Sequence, residues 1–364
     1  MEEKGGMTVK FLHCADLHLG CPKGKERMTA FRRMMKFCDT QNISLLLIAG
    51  DLFDAPDVDE GTVSQVFSAF SENAGMCVLI AAGNHDPLTH GGVYDRALPD
   101  NVYVFPEKWS CVEITELNVR VWGQSFTSAT AAPFSLPAKK PKPKEGFIDL
   151  GLLHGEVGTK SDYRAIPKEV ILESSLTYLA LGHIHERSDI LRAGGTLYAQ
   201  AGCLQGTGFD EIGEKGAYLG EIDARGNLSM SFVQLCGSQT IERRLNITGC
   251  RTLTDIYQKY ETQIGDVRPH RLRLTLTGET TIDNLNTLSM LLGKYAGDFM
   301  LCDETRVPAA LSAGEDTLKG AFIRQMEDMI LQKEKQGLSA KLEREALRFG
   351  LAAFTGEVDL DADS

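Results

Sequence analysis

Three apolar runs, each closing on polar residues, organise the first hundred positions of the chain. Val9–Cys14 is a short β-rich run followed by Asp16-Leu17-His18. Ile43–Ala49 is apolar but for Ser44, as befits a strand covered on both faces, and gives way to Gly50-Asp51-Leu52-Phe53-Asp54. Met76–Ala82 is the third run and leads into Gly83-Asn84-His85-Asp86. Between them, Glu26–Thr40 places Phe31, Met34, Met35 and Cys38 at helical spacing. A second amphipathic stretch, Val63–Phe70, opens at Asp59 or Glu60. The order strand–helix–strand–helix–strand predicts a parallel sheet with right-handed crossovers.

The pattern then shortens. Strands are expected at Val102–Phe105, Cys111–Glu116 and Asn118–Trp122, with a turn at Leu117-Asn118. A loop rich in Pro, Lys and Ala spans Ala129–Glu145. Phe147–Leu153 and Leu176–Leu181 are apolar strands that close on His154-Gly155 and on Gly182-His183-Ile184-His185. Ile190–Ala199 and Ala217–Leu235 read as strands, the latter a hairpin turning at Arg225-Gly226-Asn227. Gly237–Thr240 is a candidate boundary. Beyond it, strands at Glu242–Thr248, Arg271–Thr277 and Phe299–Glu304 alternate with helices at Thr252–Gln263 and Ile282–Tyr295, a small α/β unit. Two helices follow Pro308, Thr317–Glu334 and Ser339–Phe349, broken at Gly337, and the acidic tail Glu357–Ser364 has the composition of a disordered segment. The expected division is 8–237, 238–307, 308–352 and 353–364.

Composition narrows the class. No apolar run approaches the ~18–20 residues that span a bilayer. Met1-Glu2-Glu3-Lys4 lacks the charged-then-apolar pattern of a signal peptide. Nine scattered Cys with no CxxC pair read as reduced thiols, which points to the cytoplasm. A net charge of −12 argues against a freestanding, tight DNA binder, because phosphate contacts need Lys and Arg. It does not exclude a nucleic-acid substrate where metal ions or a partner neutralise carboxylates.

Five polar clusters sit where strands end: Asp16/His18, Asp51, Asn84/His85/Asp86, His154 and His183/His185. They hold five of the eight His in the chain. Ligands of open α/β sheets gather at such ends. The donors are oxygen and nitrogen, which suits Mn, Fe or Zn better than a structural Cys site. In Asp16-x-His18 and His183-x-His185, alternate side chains of an extended segment point the same way, so each pair can reach one ion or two neighbours. Asp51 can bridge both. Two metals ~3.5–4 Å apart can hold a phosphodiester and activate water, and a nearby His can protonate the leaving oxygen. Other positions stay open. His13 reads as a hydrogen-bonded core residue. Asp54 either supports a ligand His or caps a turn. Lys139, Lys140, Lys142 and Lys144 form either a solvated loop or a contact to a DNA backbone. The stripe Phe322, Met326, Met329 and Ile330 suits internal packing and partner docking equally.

The series DxH, GD, GNHD, H and GHxH, over about residues 9–200, resembles the calcineurin-like metallophosphoesterase superfamily. ADLHLG, AGDLFD, GNHD, LLHGEVG and LGHIHE are most similar to its SbcD/YhaO-like branch of DNA-repair exonucleases. Tyr198–Gly206 with Gly213-Glu214-Lys215-Gly216 resembles the segment that follows GHxH in that branch. Ala201-Gly202-Cys203 replaces its usual Pro-Gly-Asn-type turn. The resemblance implies a four-layer α-β-β-α sandwich with a small α/β capping domain over 240–305 and C-terminal helices. It implies a first metal on Asp16, His18, Asp51 and His185, and a second on Asp51, Asn84, His154 and His183. His85 would be the proton donor, oriented by Asp86. Manganese is the usual ion of the family, with Fe or Zn compatible. The expected activity is DNA phosphodiester hydrolysis, exonucleolytic with some endonuclease action. An SMC-like ATPase of the Rad50, SbcC or YhaN type would dock on the C-terminal helices, since this chain has no Gly-x-x-x-x-Gly-Lys-Ser/Thr phosphate loop. Related nucleases are often dimeric, which leaves a homodimer open. The alternatives are a phosphatase or phosphodiesterase acting on small molecules or proteins, and a non-catalytic subunit that tethers DNA ends.

Overall fold

The structure, a computed structural model, describes residues 8–22, 24–134, 144–282, 284–306 and 318–355. The acidic tail and most of the Pro- and Lys-rich loop lie outside the described residues. The chain divides into two compact units, residues 1–239 and 240–364.

The first unit begins β1 (Val9–Cys14), α1 (Gly24–Gln41), β2 (Leu45–Ile48), α2 (Glu60–Glu72), β3 (Cys77–Ile80) and β4 (Val102–Val104). Asp59 starts α2 by accepting the Thr62 N–H at 2.9 Å, satisfying one of the helix's free donors. There follow β5 (Ser110–Ile114), β6 (Val119–Gln124), β7 (Ile148–His154), β8 (Glu156–Val157), β9 (Ala165–Ile166), α3 (Lys168–Glu173), β10 (Tyr178–Gly182), β11 (Leu191–Ala193), β12 (Thr196–Gln200), β13 (Gly216–Ile222) and β14 (Leu228–Gln234). One sheet has the order β14-β13-β1-β2-β3-β4 and the other β11-β12-β10-β7-β6-β5. β1 to β4 are mutually parallel, as are β6, β7, β10 and β12, while the outer strands run antiparallel.

Alternation along the parallel strands explains the layering. Leu12, Leu46, Ile48, Val78 and Ile80 meet Phe31, Met34 and Met35 of α1 and Val66, Phe67 and Phe70 of α2. The intervening Phe11, Leu45, Leu47 and Leu79 face Val119, Val121, Leu150, Leu152 and Tyr178 of the second sheet. The outer face of that sheet is covered by α3 through Ile171, with Phe134 and Trp109 beside it. The fourth layer is therefore thin.

The second unit is a parallel sheet of β15 (Thr240–Asn246), β16 (Arg271–Thr277) and β17 (Asp298–Asp303). Its core joins Leu272, Leu274 and Leu276 to Ile256 and Tyr260 of α4 (Leu253–Gln263) and to Leu288 and Leu292 of α5 (Thr287–Leu292). The helix expected over Ile282–Tyr295 forms only across α5 and a 3-10 turn at Gly293–Tyr295. Asn284 has φ +53°, a value no helix interior accepts. α6 (Leu318–Lys335) and α7 (Lys341–Thr355) pack as a hairpin through Ile323, Leu347 and Leu351, with Phe322, Met326 and Ile330 against them. Met329, in the same stripe, is 44% exposed. No helix among the described residues is long and apolar enough to cross a membrane.

Candidate metal centre

Parallel pairing carries the ends of β1, β2, β3, β7 and β10 to one edge of the first unit, and the turns there leave ordinary backbone space. Among the described residues nine non-glycine positions have positive φ, and four of them are Asp16, His18, Asp51 and His183. Such a backbone costs energy and persists only where its surroundings enforce it. Here the loops after β1 and β2 are laced together: Asp16 N–H donates to Gly50 O at 3.1 Å, His18 N–H to Asp51 O at 2.9 Å and Leu19 N–H to Leu52 O at 3.0 Å. The loop after β10 joins them where His183 N–H donates to both Asp16 carboxylate oxygens, at 3.1 and 3.0 Å. Close approach also demands glycine. A Cβ on Gly50, itself at φ +91°, would lie 2.2 Å from His154 Nδ1, and one on Gly83 would lie 2.1 Å from Asp51 Oδ1.

These constraints converge acceptors on acceptors. His18 Nδ1 is 3.0 Å from Asp54 Oδ1, and His185 Nδ1 is 2.8 Å from Glu211 Oε1. Each carboxylate accepts, so each Nδ1 carries a proton, and in the neutral ring each Nε2 presents a lone pair. Those two Nε2 atoms face each other at 3.1 Å. His154 repeats the pattern. Its Nδ1–H donates to Ala49 O at 2.8 Å, which turns the Nε2 lone pair to Asn84 Oδ1 at 2.9 Å and Asp51 Oδ2 at 3.4 Å. His183 Nδ1 is 3.2 Å from the same Asn84 oxygen. Four overlapping groups each bring ligand atoms within 4.8 Å of one another: Asp16, His18 and His185; Asp16, Asp51 and His154; His18, Asp51 and His85; and His185, Cys203 and Glu211.

The electrostatics match cation ligation. Burial pushes His18 down to about 3 and His183 to about 4, so both imidazoles are neutral near pH 7. The hydrogen bond to Glu211 raises His185. Burial lifts Asp16 to about 6, with His154 partly offsetting it. Burial acts the same way on Asp51, but His154, His18 and the His85 N–H outweigh it and hold that carboxyl below the usual carboxylate range. Buried carboxylates, opposed lone pairs and no intervening donor form a cage that divalent cations satisfy. The residues present therefore fit divalent metal.

One expectation changes. Asp86 does not orient His85. It is fully buried, and its Oδ1 accepts Gly83 N–H at 2.7 Å and Asp51 N–H at 3.2 Å. Its Oδ2 accepts Phe53 N–H at 3.1 Å and Tyr94 O–H at 2.6 Å. The carboxylate ties three loop segments together, and no oxygen is left for His85. The exposed His85 instead donates Nδ1–H to the Asp54 backbone carbonyl at 3.1 Å. Asp54 thus holds His18 by its side chain and His85 by its main chain. Lys144 lies within the described residues. It precedes β7 and pairs with Glu113 at 2.5 Å, while His154 closes the other end of that strand, about 20 Å away at 3.3 Å per residue. Lys139, Lys140 and Lys142 lie outside the described residues. The motifs gave no sign of Tyr94, of the Ala49 carbonyl or of Glu211. The only signal available for Glu211 was its place inside the segment following GHxH.

Residues 9–187 match the family described as calcineurin-like phosphoesterase. Over 300 residues the chain is 27% identical to the uncharacterized metallophosphoesterase YhaO of Bacillus subtilis (strain 168), covering 74% of this chain and 72% of that one. Among solved structures, TT1561 of Thermus thermophilus aligns with a TM-score of 0.41 and 11% identity, over 62% of this chain and 99% of that one. Purple acid phosphatase PPD1 from yellow lupin (Lupinus luteus) seeds aligns with a TM-score of 0.43 and 12% identity, over 63% of this chain and 52% of that one.

Proposed function

We propose that this chain, whose residues 9–187 match the calcineurin-like phosphoesterase family, is a two-metal phosphodiesterase acting on DNA in repair. The observation that carries the two-metal reading is the set of lone pairs on His18, His185 and His154 facing other acceptors with no donor between them. Asp16, His18, Asp51 and His185 would hold one ion, and Asp51, Asn84, His154 and His183 the other. Manganese is the proposed ion, and the same oxygen and nitrogen donors accept Fe or Zn. Divalent ions in such a site supply Lewis-acid polarisation of the phosphoryl group and lower the pKa of the attacking water. His85 is the proposed proton donor to the leaving oxygen. Its Nδ1–H is committed to the Asp54 carbonyl, so Nε2 is the nitrogen free to transfer a proton.

The DNA reading is supported by the similarity of the five motifs to the SbcD/YhaO-like branch. It assigns residues 240–305 as a cap that presents DNA ends. It assigns α6 and α7 as the docking element for a separate SMC-like ATPase in the cytoplasm. The test is hydrolysis by protein stripped with EDTA and reloaded with Mn²⁺, given linear duplex, hairpin and single-stranded DNA, alone and with the ATPase. Cleavage that disappears on stripping is the expected result, together with faster turnover of bis-p-nitrophenyl phosphate than of p-nitrophenyl phosphate. Failure on every DNA form overturns the nuclease reading, and preference for the monoester identifies a phosphatase. His85→Asn should lower turnover ~10²–10⁴-fold with both metals retained. Loss of metal in that variant would remove His85 from the proton-donor role.

A further inference from the structure

His185 is held from two directions by one short segment, Glu211 to Lys215. Its ring is fixed by Glu211, whose Oε1 accepts Nδ1–H at 2.8 Å. Its main chain is fixed by Lys215, a 2% exposed lysine whose ammonium donates to the His185 carbonyl at 2.9 Å, beside the Cys203 N–H at 3.1 Å. Glu211 is itself immobilised. Its Oε2 accepts Thr207 N–H at 2.6 Å and Gly208 N–H at 2.9 Å. Arg27, 7% exposed on α1, places Nη2 3.2 Å from Thr207 Oγ1 and 3.9 Å from Glu211 Oε1.

The anchoring is specific to one part of the centre. His18 is oriented by Asp54, and His154 by the Ala49 carbonyl. Glu211 reaches neither of those rings and acts on the group Asp16, His18 and His185 through His185 alone. A ligand imidazole whose far nitrogen donates to a fixed carboxylate is locked in tautomer and ring angle, and gains basicity at the ligating nitrogen. We propose that Glu211 is a positioning residue of this centre, which aims His185 Nε2 at the cation position shared with Asp16 and His18, so that its loss weakens one of two metal sites and spares the other. The proposal rests on the two-metal reading but not on DNA being the substrate.

The rival role is a loop staple, in which Glu211 merely secures the turn at Thr207 and Gly208. Mn²⁺ titration of the EDTA-stripped full-length chain separates the two. The wild type should take up two equivalents. Glu211→Gln keeps the volume but cannot accept from both His185 and the turn. It should weaken one equivalent ~10–100-fold and leave the other at wild-type affinity. Whatever the metal-free melting temperature, the rise in melting temperature on adding Mn²⁺ should shrink. Two equivalents of unchanged affinity would overturn the proposal. So would a fall in metal-free stability with both equivalents weakened in step, which is the signature of a staple. Glu211→Asp, which retains the charge on a shorter arm, should restore part of the lost affinity, and no gain over Glu211→Gln counts against positioning. A wild-type chain that binds no Mn²⁺ overturns the two-metal reading and this proposal together. DNA left uncut while the selective metal loss is seen overturns only the substrate.

Discussion

A carboxylate can be indispensable to a metal centre without touching metal or substrate. Asp86 gathers four donors from residues 51, 53, 83 and 94 onto two oxygens. Asp86→Asn keeps the shape but turns an amide N–H₂ toward one pair of those donors, leaving the Phe53 N–H buried and unpaired. The expected cost is about 2 kcal/mol of unfolding free energy, and Tyr94→Phe, which removes a single hydroxyl donor, should cost roughly 1 kcal/mol. Denaturant titration of the metal-free proteins measures both. Wild-type stability for Asp86→Asn would refute the linchpin role. The candidate ligand residues stand out in the sequence because imidazoles and carboxylates at the ends of apolar runs have no packing use. The role of Asp86 does not, because its partners are mostly main-chain N–H groups, which any residue type supplies. Glu211 is hidden for a related reason: it meets His185 across 26 residues of chain with no spacing rule between them.

At the level of elements, the strands of the first sheet were readable and their pairing partners across the sandwich were not. Apart from Ser44, Ile43–Ala49 and Met76–Ala82 are apolar because both faces are covered, by α1 and α2 on one side and by the second sheet on the other. The two-residue strands β8 and β9 and the six-residue α3 are too short for a period to register. α5 was overextended because the apolar spacing continues through Ile282 and Leu285, while the backbone turns left-handed at Asn284. The close approach of strand ends gives an element-scale test. Gly83→Ala puts a Cβ 2.1 Å from Asp51 Oδ1 and 2.6 Å from the Asp51 nitrogen, so the β2 and β3 ends must part. Mn²⁺ affinity should fall roughly tenfold or more, by analogy with other disturbances of ligand support. Gly75→Ala, with nothing within 4 Å of the added carbon, serves as the control and should bind Mn²⁺ like the wild type. Equal affinity in both variants would show that the strand ends can separate without disturbing the ligands.

For the whole molecule, the net charge of −12 conceals titrations of opposite sign inside the first unit. Asp16, lifted to about 6 by burial, takes its proton in the folded chain before the unfolded one does, so it adds stability as pH falls from about 6 toward the ordinary carboxylate value. His13 does the reverse. It is fully buried on β1, with Nε2–H donating to the Leu181 carbonyl at 3.0 Å and Nδ1 accepting from Tyr178 O–H at 2.8 Å. Burial pushes it down to about 3 from 6.5. Between those values the unfolded chain binds a proton that the folded chain refuses, so stability is full above 6.5 and drains as pH falls toward 3. In the second unit, burial would raise Asp303, but Arg348 and Thr305 outweigh it and hold the carboxyl low. Its contribution is present above the ordinary carboxylate pKa and is lost only in stronger acid. Opposed terms flatten the overall acid profile, so the His13 contribution is best read as a difference. His13→Gln removes the titration and keeps a polar group. It should be less stable than the wild type at pH 7, where the wild type retains both hydrogen bonds. The gap should close by about 1.4 kcal/mol per pH unit below 6.5, because only the wild type gives up stability to the proton. Urea unfolding of the metal-free proteins from pH 7 to pH 4.5 follows that gap, and a gap independent of pH would mean that His13 binds its proton equally in both states.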